Sequence, residues 1–153
     1  MLELDRRFGD VYWLNINDPG YPFLALVEHT NYMPPEDYGG RHLMYLGNYL
    51  PMDHPLFSAS LDEVLAEFLP HLRRINPAFR DEWVTGAHQF AAPYAQPVVT
   101  PDYPRHIPPH ETPIPNLYLA NMFQVYPQDR GQNYSVAMAE RLARRLTVAN
   151  GMG

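Results

Sequence analysis

Hydrophobic positions along the chain come as short apolar runs, then a stripe at helical spacing, then short runs again, then a second helical stripe. Leu2 to Leu4 and Val11 to Ile16 are rich in aliphatic, aromatic and β-branched residues, and Asp18-Pro19-Gly20 follows as a turn, which predicts two short strands. Phe23 to Thr30 and His42 to Leu50 are longer runs separated by Pro34-Pro35 and Gly39-Gly40. They predict a strand pair, joined by a substantial loop, in the middle of an antiparallel sheet. Ser60-Leu61-Asp62-Glu63 has the form of a capping box, so a helix begins there. Leu61, Val64, Leu65, Phe68, Leu69 and Leu72 then share one face, and the helix ends near Ile75, before Pro77. Pro70 lacks the N–H that would bond the Ala66 carbonyl, which predicts a kink or restart around Phe68 to Pro70.

Trp83 to Phe90 and Tyr94 to Thr100 read as two further strands around an Ala91-Ala92-Pro93 corner, with Pro97 placing the second at a sheet edge. From Pro93 to Pro115 a proline recurs every few residues, so this stretch avoids helix and runs extended. Its interleaved Tyr94, Val98, Val99, Tyr103 and Ile107 suit a strap packed on an apolar surface; a disordered linker is the alternative. Leu117 to Ala120 predicts a short strand that enters a polar loop. A helix runs from about Gln132 to Val148, with Met138, Ala139, Leu142 and Leu146 on one face and Glu140, Arg141, Arg144 and Arg145 on the other. The fold class expected is therefore α+β. Residues 1-115 would form a mostly antiparallel sheet with packed helix and Pro-rich strap, and residues 116-153 a terminal strand-loop-helix.

Composition narrows the chemistry. With 153 residues, 46% of them hydrophobic, the chain is long enough to bury a substantial core. No run approaches the roughly 18 apolar residues of a membrane helix, and MLELDRRFGD lacks the apolar stretch of a signal peptide, so a cytoplasmic protein is expected. Without cysteine, thiolate metal sites, disulfides and cysteine nucleophiles are excluded. All 11 basic residues are Arg, so no lysine Schiff base can form, and a net charge of −6 disfavours a nucleic-acid partner. The seven His form no HxH or HExxH pair, and no metal site is expected. Glu28 and His29 on a strand point to opposite faces, so one of them at most faces a given pocket.

The densest signal lies in Asn116 to Arg145. Arg130 stands at the start of the last helix, where a cation meets the positive end of the macrodipole at a cost of about 0.3–1 kcal/mol. A bound anion would reverse that cost. The backbone amides of Gly131, Gln132 and Asn133 would face such a ligand, with Gly131 permitting close approach. Equally, Arg130 could pair with Asp129 and Gly131 relieve a turn. Tyr126, just before Pro127, lies near this turn; Tyr32, Tyr38, Tyr45 and Tyr49 are further candidates for an aromatic cavity.

The segment LYLAN followed by DRGQNYSVAMAERLA resembles the ending of the flavin amine oxidase, protoporphyrinogen oxidase and phytoene desaturase superfamily. WVTGAHQFAAPYAQPV is similar to the segment with which its protoporphyrinogen-oxidase-like members re-enter the FAD domain. YWLNI, FLALVEHTNY and HLMYLGNYL look like substrate-domain strands, so the resemblance spans nearly the whole sequence. It implies FAD as cofactor, a small apolar or cyclic substrate, and flavin contacts from Asn121, Tyr126, Arg130, Gly131, Gln132, Asn133 and Tyr94, with no catalytic acid or base required. Asn121 stands where many members carry Asp, so its bond to the ribityl chain would be uncharged. The sequence contains no GxGxxG, the turn that holds the pyrophosphate in such enzymes. The resemblance thus implies the C-terminal portion of an FAD-dependent oxidoreductase, one that alone binds FAD weakly or not at all and self-associates through uncovered apolar surface. The rival expectation is a non-enzymatic α+β binding module for a protein partner or small hydrophobic ligand.

Overall fold

In the first 93 residues, period-two alternation produces five short strands: β1 (Leu2–Leu4), β2 (Trp13–Asn15), β3 (Ala25–Glu28), β4 (His42–Gly47) and β5 (Val84–Ala87). They join in one antiparallel sheet of order β2-β3-β4-β1-β5. The computed structural model describes residues 1–129 and 131–149. The chain folds as two compact units, Met1–Pro93 and a second from Tyr94 onward.

The class is α+β, as the pattern predicts, with β3 and β4 adjacent inside the sheet. Register places Leu2, Met44, Leu26 and Leu14 on one face, and the stripe of α1 (Leu61–Ile75) packs there through Phe68 and Leu72. Phe8, Phe23 and Phe79 complete this core. Ser60 caps α1 as expected: its hydroxyl accepts from the Glu63 N–H, and the Glu63 carboxylate accepts from the Ser60 N–H at 2.7 Å. The expected restart at Pro70 does not occur. The helix continues through it to Ile75, because one missing bond is outweighed by a stripe that packs on both sides of the proline.

Two predicted strands are absent. Residues 94–100 form turns and irregular backbone, since Pro93 and Pro97 remove the donors a ladder needs. Leu117 to Ala120 makes a single bridge, Tyr118 to Glu111, with the Leu119 N–H donating to the His110 carbonyl at 2.7 Å. Prolines at 108, 109, 113 and 115 cut this pairing short on either side. The segment is the arm of a tight local loop and not the expected strand.

The second unit begins within the Pro-rich stretch and not at residue 116. The strap is tied to residues downstream of it: the Tyr103 hydroxyl donates to the Phe123 carbonyl at 2.7 Å, and the Gln124 amide to the Pro108 carbonyl at 3.0 Å. The Arg145 guanidinium of α2 (Gln132–Ala149) bonds Glu111 at 2.6 Å. Met138 and Leu142 of α2 are buried as predicted, whereas Ala139 is exposed.

Candidate functional site

The turn leading into α2 is folded back on itself. Gly131 donates its N–H to the Asp129 carbonyl at 2.8 Å, and the Gly131 carbonyl accepts from the Tyr134 and Ser135 N–H groups. The amide oxygen of Asn133 fills the space that a Cβ at Gly131 would take. Glycine here therefore makes room for the chain's own side chain, whatever ligand approaches from outside. Gln132 and Asn133 are exposed, and Arg130 lies outside the described residues.

Asn121 acts as a local cap. Its side-chain oxygen accepts from the Phe123 N–H at 3.1 Å, and the Gln124 side chain accepts from the Asn121 N–H at 2.7 Å, a capping box on the single turn Met122–Gln124. Tyr126, 40% exposed, tilts against the Tyr103 ring at 6.1 Å. Tyr94 is 77% exposed. Around them Val98, Val99, Ile114, Leu117, Tyr118 and Leu119 are also exposed, and the buried hydrophobic side chains described for this unit are Met138 and Leu142.

The first unit holds two polar constellations on opposite sides of its sheet. On the helix side Glu28, only 1% exposed, is held by three neutral donors: the Phe8 N–H at 2.7 Å, the Gly9 N–H at 2.9 Å and the Asn31 amide at 3.1 Å. Asn31 also donates to the Gly9 carbonyl, and Asn76, just past α1, donates to the Phe8 carbonyl at 2.6 Å. The β1–β2 connection is thereby latched over a cavity of about 250 Å³, walled by Leu14, Leu26, Ile75 and Pro77 with Glu28 at its edge. With both oxygens engaged by these donors, Glu28 serves as a structural anchor for the loop.

On the other side His29 Nε2 lies 2.6 Å from the Tyr38 hydroxyl, with the rings perpendicular and 5.1 Å apart, and Tyr45 meets the His29 ring edge-on at 6.0 Å. Tyr38 arrives on the short turn Pro35–Tyr38, which is closed by Gly39 and Gly40 at φ 68° and 78°. Both glycines take the left-handed conformation that a side chain disfavours, so the chain can reverse directly behind Tyr38. Period-two reasoning separates Glu28 from His29, and the structure places them so. Tyr38 as the partner of His29 was not legible, because the eight residues between them, built of short turns, carry no period. Its only signal is the Pro34-Pro35 and Gly39-Gly40 bracket.

Further along that face the Glu3 carboxylate bonds His88 and Arg41, each at 3.0 Å. The His88 hydrogen bond is the largest effect; with the Arg41 charge added it holds the carboxyl below the ordinary carboxylate range, although burial, second in size, pushes the other way. Among the described residues no group of three or more His, Asp or Glu is arranged to hold a metal ion, and no helix is long and apolar enough to cross a membrane.

No family model, curated protein or solved structure matches this chain.

Proposed function

We propose that the chain is the substrate-side sheet and terminal flavin-contacting element of an FAD-dependent oxidoreductase similar to protoporphyrinogen oxidase or phytoene desaturase, acting on a small apolar or cyclic substrate. The observation that carries this reading is the second unit's shortage of core. Its apolar residues, Tyr94, Val98, Val99, Leu117 and Tyr126 among them, stand exposed around two buried side chains. Exposed apolar side chains beside so few buried ones suit a unit that a ligand or another domain covers. In the superfamily that the closing motif resembles, this region lies against FAD and the domain that cradles its adenosine half. That cradle uses a GxGxxG turn, which these 153 residues do not contain.

On this reading FAD accepts the hydride, and this chain's residues position the ring. Asn121, Tyr126, Gln132 and Asn133, with Arg130, Gly131 and Tyr94, are the contacts proposed. The Gly131 amide would have to exchange its bond to Asp129 for one to the flavin. The test joins the chain to the segment encoded upstream of it. The proposal expects a strand-GxGxxG-helix in that segment, one flavin per chain in the joined protein, and weak or no calorimetric heat with FAD for the 153 residues alone. A colourless joined protein, or an upstream frame without that motif, overturns it. So does stoichiometric flavin on the 153-residue chain, which would mean that no separate cradle is needed.

A second reading, a non-enzymatic binding module for a small hydrophobic ligand, draws on the aromatic side chains of the uncovered sheet face, Trp13 and Tyr45.

A further inference from the structure

An antiparallel sheet covered by a helix on one face ordinarily turns polar side chains outward on the other. Here the uncovered face of the first unit carries Trp13, Val27 and Tyr45 in a single cross-strand row, since Trp13 lies opposite Val27 and Val27 opposite Tyr45. Trp13 and Tyr45 remain 54% and 41% exposed. Their strands flank β3, so their backbones stand two strand spacings apart, roughly 9.6 Å. Val27 between them forms a low floor. A flat ring in van der Waals contact on both faces needs roughly 7 to 8 Å between its neighbours, two carbon contacts of about 3.5–4.0 Å. Strands at that separation leave room for one ring over Val27. The next row on the same face is Asn15, Ala25 and Gly47, small or polar, so the aromatic walls are one residue deep. That favours a small molecule over a protein surface, which needs roughly 800 Å² per partner.

A polar pair borders this slot. The His29 ring lies against Tyr45 and its Nε2 is hydrogen-bonded to the Tyr38 hydroxyl at 2.6 Å, both residues half-buried. A phenol oxygen both donates and accepts, so after bonding His29 it retains acceptor capacity toward a ligand. An entirely apolar ligand would cover these polar atoms without repaying their lost water, whereas a ligand hydroxyl would bond them.

We propose that Trp13, Val27 and Tyr45, together with the His29–Tyr38 pair, form a binding site for a small planar ring bearing a hydroxyl group. The ring lies over Val27 between the two aromatic walls, and its hydroxyl donates to the Tyr38 oxygen. The site does not depend on the flavin reading, and its test uses no flavin.

In mildly acidic buffer, where p-nitrophenol keeps its hydroxyl proton, the full chain is titrated with p-nitrophenol and with nitrobenzene, the same ring without the hydroxyl, while the Trp13 indole N–H resonance is followed by NMR. Saturable shifts are expected with both, p-nitrophenol binding about tenfold tighter, the difference that one ligand hydrogen bond supplies. Tyr38→Phe should erase that difference and keep the binding of nitrobenzene. Val27→Trp should fill the slot and abolish both. The absence of a saturable Trp13 shift, equal affinities in the unaltered chain, or a difference that survives Tyr38→Phe each overturns the site. If Val27→Trp does not fold, the unaltered chain and Tyr38→Phe decide the matter between them.

Discussion

Glu28 shows how much one residue can organise. A carboxylate removed from water ordinarily recruits a cation, yet among the described residues none forms an ion pair with Glu28. Backbone amides take that role, and the loop from Phe8 to Gly9 is pinned as a result. Glu28→Ala strands two amides, each worth about 1–3 kcal/mol when buried without a partner, so a loss of at least about 2 kcal/mol in urea denaturation is expected. An unchanged midpoint would contradict the latch. Glu3 gives a pH signature of definite sign. Its carboxyl is held below the ordinary value by His88 first and then Arg41. The stabilisation is therefore fully present above that ordinary value, about 4.3, and lost as pH falls through the depressed one. Glu3→Gln should flatten the acid limb of the stability curve below about pH 4.3. A variant curve with the same acid limb would show that the contacts of Glu3 contribute nothing.

Among elements, α1 was the most legible. Its cap, its stripe and its end at Ile75 all follow from sequence, because the signals are local and repeat every three or four residues. Strand β1 was legible in position and extent, while β2 to β4 were legible in position and too long in extent: Phe23 to Thr30 contracts to Ala25–Glu28 where the ladder to β4 runs out. Tyr94 to Thr100 and Leu117 to Ala120 have the apolar content of strands, but the neighbouring prolines deny them donors, and apolar content alone does not show that loss. The capping box predicts that Ser60→Ala costs about 1 kcal/mol. Leu72, fully buried where α1 meets the sheet, should cost about 2–5 kcal/mol as Leu72→Ala. Both are read from thermal or urea unfolding, and a larger loss at Ser60 than at Leu72 would mean that α1 is held by its cap and not by its packing.

At the level of the whole molecule the two units differ in how much they bury. The first gathers Leu2, Leu4, Phe8, Phe23, Leu26, Met44, Phe68, Leu72 and Phe79 into one cluster; the buried hydrophobics described in the second are Met138 and Leu142. Amides of β1, β3, β4 and α1 should accordingly exchange with solvent far more slowly than those of residues 94–129, and equal protection across both would refute the contrast. The sequence shows the Pro-rich strap but not its allegiance. Tyr103 to Phe123 and Gln124 to Pro108 are pairings across 16 to 20 residues, which no periodicity announces. For the candidate site the limit is similar: the residue types around α2 suggest an anion turn, while the path of the backbone decides that Asp129 takes the Gly131 amide.

The sheet order sets a timetable for biosynthesis. β1 lies inside the sheet between β4 and β5, both of which follow it in the sequence. A ribosome must therefore translate as far as Gly47 before β1 acquires one neighbour, and as far as Ala87 before it acquires the second. Until then Leu2 and Leu4 lack the neighbours that shield them in this sheet, so translation stalled between those two points would release a product with an open, sticky margin, a natural client for chaperones.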